Sequence, residues 1–354
     1  AMKRWKLKVL LAAVSMVAIV SLCGFDSPFA VSTADATGKT GSSRYNKINI
    51  VAKPRILKLG HKSSETSSWH LGAIYFADLV KQRTNGEIII QIYPNSQLGD
   101  QKEMTEAAQI GVVDIVLNAP ATLAGFVPEM TALDLPFLFR DYDHAFKALD
   151  TVGMEFFAPL CEKVNLKLLS YWDTGFKCLS NSKRTIKSVD DIKGLKIRYA
   201  GGPSLAATIN VLGASAISIP WSETYIALSQ GTADAQFNPP STMYEMKIHE
   251  VQKYYSSNLV IQYGAEPVVM SLKTWKSLTP QQQEIIQQAC DEARDYQREL
   301  SQKMDKEALQ AMIKEGVIVT QVSDEVLAQI QELTAPLLTK YANPELLFKI
   351  RAVK

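Results

Sequence analysis

From Gln281 to Glu315 the chain contains neither glycine nor proline. Thr279 is a residue type that caps helix N-termini, and Pro280 suits the first helical position, where its missing N–H is no loss. Apolar residues recur at helical spacing through Ile285, Ile286, Ala289, Ala293, Tyr296, Leu300, Met304, Ala308 and Met312. A helix from 281 to about 315 is roughly 50 Å long at 1.5 Å per residue, longer than one small domain is wide. The chain must therefore be organised so that one helix runs across two bodies. Its polar faces leave dimerisation as a second use of the same helix.

The rest of the chain alternates short strands with helices. Ile56-Leu57-Lys58-Leu59-Gly60 reads as a strand, and residues 69–83 as a helix closed by Asn85-Gly86. Ile88-Ile89-Ile90-Gln91-Ile92-Tyr93 is a second strand, residues 101–111 a helix, and Asp114-Ile115-Val116-Leu117 a third strand. This order predicts βαβ units, a parallel sheet and helices on both faces. The pattern restarts at Lys167-Leu168-Leu169-Ser170-Tyr171-Trp172 and continues through Lys196-Ile197-Arg198. Helices follow over 204–212 and over 222–230, the second capped by Ser222. Asp234-Ala235-Gln236-Phe237 then starts a strand. Two such blocks with a seam between them predict a two-lobed α/β protein with mixed, mostly parallel sheets. Open α/β sheets bind ligands beyond the carboxyl ends of their strands. Arg198 and Asn238 both fall at such ends.

A length of 354 residues gives room for two domains and a substantial core. The net charge of +2 creates no field that would draw nucleic acid or anionic lipid. Lys3, Arg4, Lys6 and Lys8 precede an apolar run over 9–23, followed by small residues at Ala30 and Ala36. These mark residues 1–36 as a signal peptide for export to the periplasm, and 37–53 as a flexible lead-in. Cys23 has the faint look of a lipoprotein box, but Leu22 stands where a small residue is wanted. Cys161, Cys178 and Cys290 are widely spaced and read as buried thiols, with at most one disulfide among them. His61, His70, His144 and His249 are too scattered for a zinc motif. No phosphate loop, dinucleotide fingerprint or nucleophile elbow is present in the sequence. No metal, cofactor or catalytic set is expected.

Gly194-Leu195-Lys196-Ile197-Arg198-Tyr199 sets an arginine at the end of a short strand, before Gly201-Gly202-Pro203. A guanidinium held there can clasp a carboxylate through two parallel hydrogen bonds. It could also pair Asp190 or Asp191 at the surface. Further on comes Gly231-Thr232-Ala233-Asp234-Ala235-Gln236-Phe237-Asn238-Pro239. Other segments follow in a fixed order: Leu59-Gly60-His61, Tyr93-Pro94-Asn95-Ser96-Gln97-Leu98-Gly99, Asp134-Leu135-Pro136-Phe137-Leu138-Phe139 and Trp221-Ser222-Glu223-Thr224-Tyr225. Taken together, from about Leu57 to about Val319, the chain resembles the solute-binding proteins of TRAP transporters, the DctP-type periplasmic receptors for organic acids.

The resemblance implies a two-lobed periplasmic-binding-protein architecture with the long helix spanning both lobes. It implies that Arg198 binds the ligand's carboxylate and that Asn238 donates to a ligand oxygen. The other reading of Asn238 is an Asn-Pro turn that caps a strand. Lys177 stands where the family usually has a second arginine. Lysine keeps the charge but loses the planar fork, so a monocarboxylate or a keto acid is expected; Lys177 could instead point to solvent. Phe237 replaces a frequent glutamate. With Trp221, Trp172 and Trp69 it predicts an aromatic-walled pocket, suited to an apolar or aromatic carboxylate. Each aromatic taken singly could equally be core. Lys62 and Asn118 follow strands of the first lobe and are expected to face the cleft. Ser256-Ser257-Asn258 lacks the histidine of the family's Thr-Asn-His turn, which argues against a polyhydroxylated ligand.

The expected lobes are residues 54–173 plus 263–304 and residues 174–262 plus 305–354, closing about hinges near 172–174 and 260–264. The implied protein is a monomeric, non-enzymatic periplasmic receptor. It hands a small organic carboxylate to the small and large TRAP membrane subunits for uptake driven by an ion gradient. A receptor feeding a sensor kinase, or a periplasmic enzyme acting on an organic acid, are the alternatives.

Overall fold

The computed structural model describes residues 53–354. The expected signal peptide, Cys23 and nearly all of the expected lead-in lie outside the described residues.

Nine strands form one sheet: β1 (Arg55–Gly60), β2 (Ile88–Tyr93), β3 (Ile115–Leu117), β4 (Leu166–Asn181), β5 (Lys196–Tyr199), β6 (Ser215–Ser218), β7 (Ala235–Asn238), β8 (Tyr254–Ser271) and β9 (Ile318–Thr320). The order is β2-β1-β3-β8-β4-β7-β5-β6, with β9 paired to β8. On one side β2, β1 and β3 run parallel. On the other, β7, β5 and β6 run parallel. Both sets join a central antiparallel pair, β4 and β8. The α/β class and the mostly parallel pairing agree with the sequence, but the seam between two blocks does not. β4 and β8 are 16 and 18 residues long and pass through both halves.

The expected end of β4 at Trp172 is where it bulges. Asp173 Oδ1 accepts the Gly175 N–H at 2.8 Å, and beyond Gly175 the strand resumes. Gly175 has φ +92°, and a Cβ there would lie 2.6 Å from Asp305 Oδ2. Glycine is thus required on both counts.

The helix Ser68–Arg83 is capped by Ser67, whose side chain accepts the His70 N–H. The long helix Pro280–Lys314 has 35 residues and opens on a reciprocal Thr279/Gln282 capping box. Its first half contributes Ile286, Ala289, Cys290 and Ala293 to the core beneath β1, together with Leu57, Leu59 and Trp172. Near its other end Met312 packs with Cys178, Met243 and Tyr255 in a separate core. The apolar stripe therefore serves both halves, as its length demanded. The expected helix over 222–230 begins as a 3-10 turn, Trp221–Glu223, and only Thr224–Ser229 is α-helical; Ser222 does not cap it. Cys161, Cys178 and Cys290 are buried free thiols. No helix among the described residues is long and apolar enough to cross a membrane.

Candidate ligand-binding site

The carboxyl ends of β1 and β7 approach the bulged middle of β4 and β8, and between them lies a small cavity partly open to solvent, which Arg198 of β5 borders without lining. Lys62, Trp69, Lys177, Trp221 and Asn238 line it, with Glu266, Thr174, Glu245 and Ser241.

Arg198 sits beside this cavity with its guanidinium against the Trp221 ring, 5.4 Å from the centroid. The residue is 6% exposed. Its Nε donates to the Ile219 carbonyl at 3.0 Å, while buried Nη2 has no partner. Neither candidate surface acid pairs with it: Asp190 bonds Lys193 and Asp191 bonds the Ser188 and Lys187 amides. Burial pushes Arg198 down from the usual arginine range to about 10. A cation is thus held out of water with one hydrogen-bonding arm unmet, an arrangement that favours arrival of an anion.

Lys177 is paired rather than solvent-directed. Its Nζ lies 3.0 Å from Glu266 Oε1, which also accepts from Thr174 Oγ1 at 2.6 Å. Glu266 Oε2 is buried and unpartnered. Asp134 lies close by, with Oδ1 accepting from Gln262 Nε2 and Oδ2 unmet. Burial pushes the Asp134 carboxyl up to about 7; Glu266 acts in the same direction, while Lys177 and Lys62 oppose it. Burial also raises the Glu245 carboxyl, against a hydrogen bond from the Ser64 amide. The charged side chains around the cleft are thus Lys62, Lys177 and Arg198 with Glu266, Glu245 and Asp134.

Trp221 and Trp69 reach the cavity, Trp69 from the first turn of the helix Ser68–Arg83 rather than from a loop. Asn238 lines the cavity too, with its amide donating to Gln236 Oε1.

Three expected site residues are elsewhere. Phe237 packs with Leu179, Ile197, Ile209 and Ile330 in the core of the second half. Adjacent strand residues face opposite ways, so Asn238 in the cleft sends Phe237 into the core. Trp172 is fully buried under the helix Ser68–Arg83, where Gly72 leaves room for its ring. Asn118 is committed to internal hydrogen bonds, donating to Thr105 Oγ1 at 2.6 Å and accepting from the Ala119 amide at 2.9 Å. The aromatic wall reduces to Trp69 and Trp221. Ser257 and Asn258 bond the Thr320 and Val322 carbonyls near β9. The missing histidine of that turn therefore says nothing about this cavity.

The sequence reading missed Glu266, Thr174, Glu245 and Asp134. A signal existed for Glu266, the lone acid in the apolar run Tyr263-Gly264-Ala265-Glu266-Pro267-Val268-Val269. An acid buried in such a run needs a partner, and Lys177 lies along the same pair of strands, where it is in register with Gln262 while Glu266 is in register with Trp172.

A sheet shared by two halves, a helix crossing both and a buried cationic cleft define a two-lobed solute receptor. Residues 59–344 match the family described as bacterial extracellular solute-binding protein, family 7 (DctP), and the chain belongs to that family of TRAP periplasmic receptors. It is 36% identical over 266 residues to the 2,3-diketo-L-gulonate-binding periplasmic protein YiaO of Escherichia coli, spanning 74% of this chain and 80% of that protein. It is 32% identical over 285 residues to the C4-dicarboxylate-binding periplasmic protein DctP of Rhodobacter capsulatus, spanning 79% and 84%. A solved TRAP periplasmic solute binding protein from Polaromonas sp. JS666, bound to D-erythronate, matches with a TM-score of 0.80 at 30% identity, over 85% of this chain and 99% of that one.

Proposed function

We propose that this chain is a periplasmic receptor that captures a small hydroxylated monocarboxylate and presents it to the small and large membrane subunits of a TRAP transporter. The observation that carries the reading is Arg198, a buried guanidinium with no acid partner and an unmet Nη2. A ligand carboxylate completes it, each charge-assisted hydrogen bond contributing about 1.5–3 kcal/mol. The unmet oxygen of Glu266, which lines the cavity, calls for a donor on the ligand, which a hydroxyl group supplies. An apolar or aromatic ligand would leave that oxygen bare, and Trp172 and Phe237, two of the four aromatics that argued for one, are in the core.

Binding without turnover suits a family whose relatives are receptors. In this reading residues 54–173 plus 263–304 form one lobe and 174–262 plus 305–354 the other. They close about the bulged rungs Asp173↔Ala265 and Gly175↔Gly264, and ligand favours closure by its greater affinity for the closed form.

A thermal-shift panel of D-erythronate, D-galacturonate, succinate and orotate tests it. The two hydroxy acids are expected to raise Tm most. A shift by orotate alone, or by none of the four, would overturn the proposed ligand class.

A further inference from the structure

We infer that Lys62 is a specificity-determining residue that shares the ligand's acid group with Arg198, so that one carboxylate is gripped from both sides of the cleft. The inference rests on the reading of the cleft as a carboxylate site. It concerns which residue completes the grip.

Lys62 lies just past β1, on the opposite half of the sheet from Arg198 in β5. Its Nζ is 5.4 Å from the centroid of the Trp69 ring and 5.7 Å from that of Trp221. The Arg198 guanidinium is 5.4 Å from the same Trp221 ring. Trp221 is therefore the common wall of two cations from two halves of the molecule. A second, larger and more open cavity adjoins the first. Lys62 and Trp221 are the residues that line both. The ammonium thus stands where the two cavities meet.

A structural lysine in such a cleft would pair an acid, whereas Lys62 is half-buried at the cavity wall. Lys62 forms no ion pair within 4.0 Å among the described residues, in contrast to Lys177, which Glu266 holds at 3.0 Å. The charged groups facing it are Glu266 on β8, Lys177 on β4, Arg198 on β5 and Asp134 on the 3-10 helix Pro128–Asp134. Burial pushes Lys62 down to about 8; Lys177 and Arg198 push the same way, against Glu266 and Asp134. The two tryptophan faces stabilise the cation in part. A carboxylate placed between Lys62 and Arg198 would relieve the desolvation and the like-charge repulsion of both. It would also return the Lys62 ammonium toward the ordinary lysine range.

The sign of the pH dependence follows. At pH 7 Lys62 is mostly protonated and ready for an anion. Above about pH 8 the free protein has lost that proton, so binding must take one up, and affinity falls as pH rises. Asp134, which titrates lower, would change affinity mainly below pH 8.

The test is calorimetric titration of wild type, Lys62→Gln, Lys62→Arg and Arg198→Ala with D-erythronate, and with succinate in parallel, from pH 6.5 to 9.5. Wild-type affinity is expected to fall on the order of tenfold between pH 7.5 and 9.5. Proton uptake should show there as a dependence of the enthalpy on the buffer's heat of ionisation. Lys62→Gln should bind on the order of tenfold more weakly at pH 7, with a flat profile. Lys62→Arg should bind well and stay flat, because arginine keeps its proton throughout. Wild-type affinity in Lys62→Gln, or a fall above pH 8 that survives in Lys62→Arg, would overturn the inference. If Arg198→Ala alone loses binding, the carboxylate reading stands without Lys62. No binding of either acid by wild type overturns that reading and the inference with it.

Discussion

Arg298 and Arg198 are buried to nearly the same depth, 4% and 6% exposed, and are bonded in opposite ways. Arg298, on the long helix, bonds Asp150 with both Nη atoms at 2.6 and 2.7 Å, and Nη2 also donates to the Tyr171 carbonyl at 2.8 Å. Its guanidinium stacks 4.3 Å from the Phe146 ring centroid. Arg198 has one carbonyl, one tryptophan face and no acid. Both cations are out of water, but only Arg298 has its counter-charge within the chain. Burial alone thus does not mark a functional arginine. Burial with the counter-charge left out does.

The largest effect expected from this contrast is on stability, at Arg298. Arg298→Ala leaves Asp150 only the longer contact with Arg294, at 3.7 Å, and weakens the tie between the long helix and the segment around Asp150. Breaking such a pair costs about 3 kcal/mol, toward the low end because Asp150 is partly exposed. The melting temperature should drop on the order of 10 °C, with carboxylate affinity of the folded protein unchanged. A smaller effect tests the assignment of Phe237 to the core. Phe237→Leu should cost about 1 kcal/mol in chemical denaturation and leave the ranking of acids in the thermal-shift panel as it was. A reordered panel would return Phe237 to the cleft wall.

The contrast also separates what the sequence could disclose from what it could not. The long helix was legible almost to the residue, because Thr279-Pro280 and an unbroken apolar stripe are local signals. Arg198 was legible because a strand end before Gly201-Gly202 fixes where its side chain is carried. The bulge at Asp173-Thr174-Gly175 was not, since only pairing with β8 holds those residues in the strand. That bulge breaks the two-residue alternation, so the placement of Trp172 in the core and of Lys177 in the cleft could not be read along β4. Phe237 was a different case: alternation with Asn238 already assigned it to the other face. Glu266 is 89 residues from the lysine it pairs with, and no local pattern joins them. Lys62 could be placed after a strand, but its position between two tryptophans depends on Trp221, which comes from the other half of the molecule.

The most direct measurement is made on Arg198→Ala, as an apo melting curve and a calorimetric titration with the panel acid that most stabilises the wild type. Removing a desolvated charge that lacks a counter-ion should leave apo stability unchanged or raised, unlike Arg298→Ala. Affinity should fall about 100-fold, near 2.7 kcal/mol. Retained affinity, or an apo protein destabilised as Arg298→Ala is, would make Arg198 a structural arginine and contradict the account.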